Sequence, residues 1–315
     1  MLGPIRHLAS VLAYAARRDV RQRTDHAAAD DVAWSRAPIA GVLPAGLELT
    51  WLGTSGFRMS YQGWDVLIDP YLTRMPLGEV GRRVVARPSW PALQPRVPRA
   101  RAILIGHTHF DHAMDAPVIA GALGCPVYGS ASMARLMKLH GHPELAVEVE
   151  AHRRYEVGPF TVTFVPSLHS KLALGLWTPA DGELSCEHLD DLTPNAYRCG
   201  QVWGIHVEVG GATLYHQGSC DLIDDEIRHR GVDVLLAGIS GRRFTPRYLQ
   251  RLLGRLQPRV IVPHHYDDFF RPLDAPMRFS LNVNLAGFLD EVHAVAPGLP
   301  VRTVAIGEVL GVEPS

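Results

Sequence analysis

The chain has 315 residues, 47% of them hydrophobic, and a formal net charge of −1. Near-neutrality argues against bulk electrostatic binding to nucleic acid, and no uninterrupted apolar stretch reaches the ~20 residues that a membrane-spanning helix needs. Cys125, Cys186, Cys199 and Cys220 show neither CxxC spacing nor a dense framework, so reduced thiols in a cytoplasmic protein are expected.

Leu8, Val11, Leu12 and Ala15 recur at helical spacing, with Arg6, Arg17, Arg18 and Arg21 around them. The apolar centre is short for a signal peptide, although Ala13-Tyr14-Ala15 resembles a cleavage site. A short amphipathic helix is expected, one that packs on the body or rests through residues 4–21 on an anionic membrane. Residues 20–45 are polar, alanine-rich and proline-containing. The division read from this is a helix and leader over 1–45 and a single body over 46–315.

Three short β-like runs open the body, at 47–52, 57–61 and 64–68, with turns at Gly53, Gly56 and Gln62-Gly63. The meander ends in Asp69-Pro70. Residues 76–101, rich in proline and arginine, read as a long surface loop. Strand and helix then alternate: strand 102–105, helix 113–123, strand 127–128, helix 131–139 and strand 161–165. Residues 171–200 carry prolines, glycines and an acidic run, and read either as an inserted lid or as a solvated loop. A second series follows, with strands at 202–209 and 213–216, a helix over 221–230, strands 232–236 and 260–262 flanking helix 248–256, then helix 282–295 and strand 301–306. Each half is a meander followed by β/α units, which two face-to-face sheets with helices outside would accommodate.

Residues 106–112 read Gly-His-Thr-His-Phe-Asp-His, directly after the apolar run 102–105. Such a strand end can aim His107, His109, Asp111 and His112 at one point. Imidazole and carboxylate together suit Zn²⁺ and related first-row ions, at bond lengths of about 2.0–2.2 Å. His107 and His109 divide naturally toward one metal, and Asp111 and His112 toward a second. Further metal-capable residues stand where strands are expected to end: His169, Asp221 and the pair His264-His265. Loops at one sheet edge can bring such distant positions together.

His107-Thr108-His109-Phe110-Asp111-His112, the ordered later sites, and the Leu52–Phe57 and Leu67–Pro70 segments together resemble the metallo-β-lactamase superfamily over residues 47–312. That resemblance implies an α/β (α+β) four-layer αββα sandwich with a dinuclear metal site at one edge. It implies His107, His109 and His169 on the first metal, and Asp111, His112 and His265 on the second, with Asp69 orienting a ligand and His264 and His216 standing behind the site. Where many relatives carry a metal-bridging aspartate this chain has Ser219, so Asp221 is expected to supply the bridge; the alternative is one tight and one weak metal. Cys220 reads as a buried thiol rather than a ligand.

Two Zn²⁺ ions per chain are implied, with Mn²⁺ or iron as alternatives. Metal-activated hydroxide would attack the electrophile while Asp111, the expected catalytic carboxylate, orients it and moves its proton. Within the superfamily the chain is similar to the branch of the L-ascorbate-6-phosphate lactonases and the N-acyl-phosphatidylethanolamine-hydrolysing phospholipase D enzymes. The expected substrate is a small-molecule or lipid-like phosphodiester or phosphorylated ester, with a lactone or other carboxylic ester as the competing reading. Ser170, Lys171, Arg242, Arg243 and Tyr266 are candidates to contact a substrate anion. An iron redox enzyme, a nuclease and a non-catalytic binding protein fit less well, because no dinucleotide fingerprint or basic arm is visible and the ligand residues are retained.

Overall fold

The computed structural model describes residues 16–171, 177–281 and 283–311. Among the described residues, fourteen strands form two seven-stranded sheets. The first sheet contains β1 (Glu48–Gly53), β2 (Gly56–Tyr61), β3 (Trp64–Ile68), β4 (Ala102–Leu104), β5 (Val127–Gly129) and β6 (Ala146–Glu148). The second contains β7 (Arg154–Val157), β8 (Phe160–Leu168), β9 (Val202–Val209), β10 (Ala212–Gln217), β11 (Asp221–Leu222), β12 (Val234–Gly238) and β13 (Val260–His264), while β14 (Val309–Leu310) joins the first sheet beside β1.

Alternation along the strands makes the layers. Val66, Ile68 and Leu104 enter one apolar cluster with Trp51, Phe57, Phe164 and Ile205, between the sheets. Leu67, Ile103 and Ile105, one residue out of step, enter a second cluster with Ile119, Met133 and Leu136 of the outer helices. A strand places successive side chains on opposite faces, so a continuous apolar run such as 102–105 is what a sheet covered on both sides requires. Beyond the second sheet lies helix Tyr248–Leu256, which buries Tyr248, Leu249, Leu252, Leu253 and Leu256 along one stripe. Each fully buried leucine contributes roughly 1.5–3 kcal/mol of apolar transfer. The result is the four-layer αββα arrangement expected from the sequence.

The β2–β3 turn follows its sequence: Gln62 (φ 48°) and Gly63 (φ 79°) both take the left-handed region, as a two-residue type I′ hairpin needs. Helix Arg18–Asp31 lies on the body. Its Gln22 exchanges two 2.9 Å hydrogen bonds with the Phe279 backbone, and its buried Asp25 accepts from the Ala286 amide at 3.0 Å. The apolar positions expected to start that helix, up to Ala15, lie outside the described residues. No helix among the described residues is long and apolar enough to cross a membrane.

Three expectations are corrected. Residues 221–230 are not a helix: Asp221 and Leu222 pair with Leu168 and Ser167 of β8, and a single 3₁₀ turn, Asp224–Glu226, follows. Residues 301–306 make only isolated bridges, Val301 to Ile261 and Thr303 to Ala33, and the closing strand is Val309–Leu310. The 76–101 loop includes short helices at Leu77–Gly81 and Trp90–Leu93.

Candidate metal centre

Every residue of the site follows the C-terminal end of a strand: Asp69 after β3, the 107–112 segment after β4, His169 after β8, Ser219 after β10 and His265 after β13. The two sheets present these ends along one edge. There the 106–108 loop is stitched to the opposite sheet, with the Trp203 amide donating to Gly106 O at 2.7 Å and the Thr108 amide to Cys199 O at 3.0 Å.

Two triads result. His107, His109 and His169 offer ring nitrogens within 4.8 Å of one another, and so do the ligand atoms of Asp111, His112 and His265. The triads are adjacent, since the His107 and His112 rings lie 3.8 Å apart by centroid and Asp111 Oδ2 is 3.3 Å from His265 Nε2. Both ring nitrogens of buried His107 and the Nδ1 of His265 have no protein partner. Buried polar atoms nearly always carry one, so unpartnered imidazole nitrogens on residues whose ligand atoms gather within 4.8 Å fit a cation.

Backbone and carboxylate groups behind the rings set their orientation. Asp69 accepts from the Gly106 amide at 2.7 Å and from His112 Nδ1 at 2.8 Å, which turns His112 Nε2 toward Asp111. His109 Nε2 donates to Pro179 O, and His169 Nδ1 to Ser170 O, both at 2.8 Å. Metal-binding imidazoles are usually held this way through the nitrogen that faces away. Gly106 and Gly218 give Asp69 its room: a Cβ on either would stand 3.0–3.1 Å from Asp69 Oδ2.

Burial, followed by the facing His112, His109 and His169, pushes His107 well below the ordinary histidine range. Burial and His109 bring His169 down to about 3. Burial opposes the charge on Asp111, but His112 and His265 outweigh it and hold the carboxyl below the usual carboxylate range. The pit thus presents His107, His109 and His169 as neutral imidazoles beside an ionised carboxylate. At His112, by contrast, burial is overcome by Asp69 and Asp111, which raise the ring above the ordinary histidine range, so a cation binding there displaces its proton.

His264 and His216 join neither triad. Their rings stack at 4.8 Å behind the site, with His216 Nε2 donating to Ser55 O at 2.9 Å. Alternation on the chain explains the split between His264, which ends β13, and its neighbour His265. The latter adopts φ 58°, its amide donating to Thr54 O at 2.8 Å. Thr54 (φ 51°) is itself held by Asp267, whose carboxylate accepts the Thr54 amide at 2.9 and 3.1 Å and pairs with buried Arg74 at 2.7 Å. Left-handed backbone at a β-branched residue costs free energy and persists only where the surroundings impose it. Sequence reading missed Thr54, Arg74 and Asp267; their signal was Asp267 two residues beyond His265, where a carboxylate follows a ligand and an aromatic.

Asp221 is not brought to the site. Leu222 of the same short strand is buried, so Asp221 points the other way, where its carboxylate meets Arg251 at 3.2 Å and the Leu222 amide at 2.8 Å. Ser219 faces the site, its hydroxyl donating to Leu168 O at 2.5 Å. Cys220 is a buried thiol against Gly238 O and Tyr248.

The triads open into a cavity of about 470 Å³, walled in part by Phe110, Phe269 and Phe270 and by Pro179 and Pro194 of the 177–200 segment. Ser170 lines it as expected, but Lys171, Arg242, Arg243 and Tyr266 do not. Arg242 and Arg243 reach Glu291 at 2.8 and 3.3 Å, and the Tyr266 hydroxyl donates to Val304 O at 3.0 Å. Phe269 and Phe270 were overlooked in the sequence, although a pair of aromatics close behind a ligand histidine is a usable sign.

Two sheets with helices outside and paired ligand triads at their shared edge define a metallo-β-lactamase fold. The family described as "Beta-lactamase superfamily domain" matches residues 48–265, and the chain belongs to it. A UPF0173 metal-dependent hydrolase of Anaeromyxobacter dehalogenans is 30% identical over 266 residues, covering 81% of this chain and 86% of that protein. Among solved structures, the metallo hydrolase Igni18 of Ignicoccus hospitalis superposes with a TM-score of 0.56 at 18% identity, over 84% of this chain and 97% of that one. CmlA, a diiron β-hydroxylase of Streptomyces venezuelae, gives 0.52 at 12% identity, over 85% and 54%.

Proposed function

We propose that the chain is an ester hydrolase in which His107, His109 and His169 would hold one cation and Asp111, His112 and His265 a second, zinc in the first instance. One observation carries this reading: two adjacent triads, in which His107 is buried and has no partner among the described residues at either ring nitrogen. When bound, such ions supply Lewis acidity and lower the pKa of water toward neutrality. The chain's own residues do the rest. Asp69, Pro179 O and Ser170 O fix three imidazole rings, and ionised Asp111 at the cavity floor orients water and takes up its proton. Manganese and iron are the alternatives, since CmlA is described as a diiron enzyme.

The sequence favours a phosphodiester or phosphorylated ester, small or lipid-like, met in the cytoplasm. A lactone or other carboxylic ester is the second reading, and one observation favours it: no Lys or Arg is among the described residues lining the cavity. Metal analysis of the purified protein should give two ions per chain. Chelation should abolish turnover of bis(p-nitrophenyl) phosphate, a lactone or a p-nitrophenyl ester, and zinc should restore it. Full turnover by metal-free protein refutes the reading.

A further inference from the structure

We infer that the substrate carries an apolar chain or ring beside its scissile bond, seated on Phe110, Phe269 and Phe270; this rests on the ester-hydrolase reading and names its substrate class. The cavity, about 470 Å³, is far larger than the reacting atoms of an ester need. Its aromatic side begins at the metal ligands: Phe269 stands edge-on to His265 at 5.2 Å, with Phe270 4.3 Å and Phe110 6.5 Å from it by ring centroid. All three rings are half-buried and line the cavity, Phe110 and Phe269 also packing against the outer apolar cluster that holds them in place. At the rim Leu77 and Leu281 remain 59% and 43% exposed.

Exposed leucines and half-buried aromatics thus line one cavity that also reaches the triads, the arrangement that marks a ligand groove. The polar lining outside the triads is neutral, chiefly serine hydroxyls and Asn195. A phosphate monoester or another multiply charged substrate would find counter-charge only at the metals. A neutral apolar arm would be desolvated at no electrostatic cost and would gain roughly four-fold in affinity per buried methylene.

The test uses the zinc-loaded protein in two arms. In the first, kcat/KM is measured for p-nitrophenyl acetate, butyrate, hexanoate and octanoate, with p-nitrophenyl phosphate as the charged comparator. It should rise at least ten-fold from acetate to the longer esters, and Phe269→Ala and Phe270→Ala should each flatten that rise. In the second arm, calorimetry compares n-octylphosphonate with methylphosphonate, and the octyl compound should bind at least ten-fold tighter. A flat chain-length series, preference for the monoester, or equal phosphonate affinities overturns the inference. If none of these esters is turned over, the hydrolase reading is decided separately by turnover of bis(p-nitrophenyl) phosphate, while the phosphonate pair still decides whether the apolar wall binds an apolar arm.

Discussion

Two histidine clusters in this protein show opposite uses of the same side chain. At the sheet edge, His107, His109, His112, His169 and His265 gather around a pit, their ligand atoms within 4.8 Å of one another in each triad. On the outer face of the second sheet, His206 and His229 stack at 3.7 Å, nearly parallel, while His152 Nε2 bonds Glu226 at 2.6 Å. Among the described residues only the first cluster brings three ligand atoms together. Strand ends differ from strand middles in this respect. A residue in mid-strand such as His206 is bound to the pleat and can only stack with neighbours, whereas residues on loops after strand ends can be turned toward one another.

Breaking the first cluster should have the largest effect. His109→Ala should reduce hydrolysis to background while circular dichroism stays native, because the ring is anchored on loop carbonyls outside the core; full activity would refute the assigned site. Asp267→Ala would leave the Arg74 guanidinium buried without its partner and free the Thr54–His265 backbone. It should cost about 3–5 kcal/mol in chemical denaturation. An unchanged denaturation midpoint would rule out that bracing role.

Asp69→Asn puts an amide donor where both the Gly106 amide and His112 Nδ1 need acceptors. Metal affinity or activity should fall about 10–100-fold, measured by competitive chelator titration. At the second cluster the readout is stability. Burial, then His229, brings His206 down to about 3, whereas an unfolded histidine titrates near 6.5. The unfolded chain therefore binds the extra proton first, and the stability present above pH ~6.5 is lost as pH falls toward 3, by at most about 1.4 kcal/mol per pH unit. His206→Phe should flatten the melting temperature between pH 6.5 and 5; an unchanged slope would show that other groups set it. The smallest effect is expected from Asp221→Ala, which removes a half-buried contact to Arg251 away from the site. Two metals per chain should remain, and loss of one would return Asp221 to the site.

The sequence by itself determined the layers and half the centre. Apolar runs such as 102–105 and 260–262 can only be strands covered on both faces, and the 107–112 cluster lies within a few residues of one strand end, so local spacing already specifies its convergence. Tertiary structure alone decided the remainder. Whether His264 or His265 turns inward depends on a left-handed residue held by Thr54 and Asp267, and the direction of Asp221 depends on which face of a two-residue strand buries Leu222. Contacts between residues far apart in the chain fix such choices. The resemblance named His265, and Asp267 stood nearby as a sign, but periodicity and spacing alone do not show the backbone turn or the face that is buried.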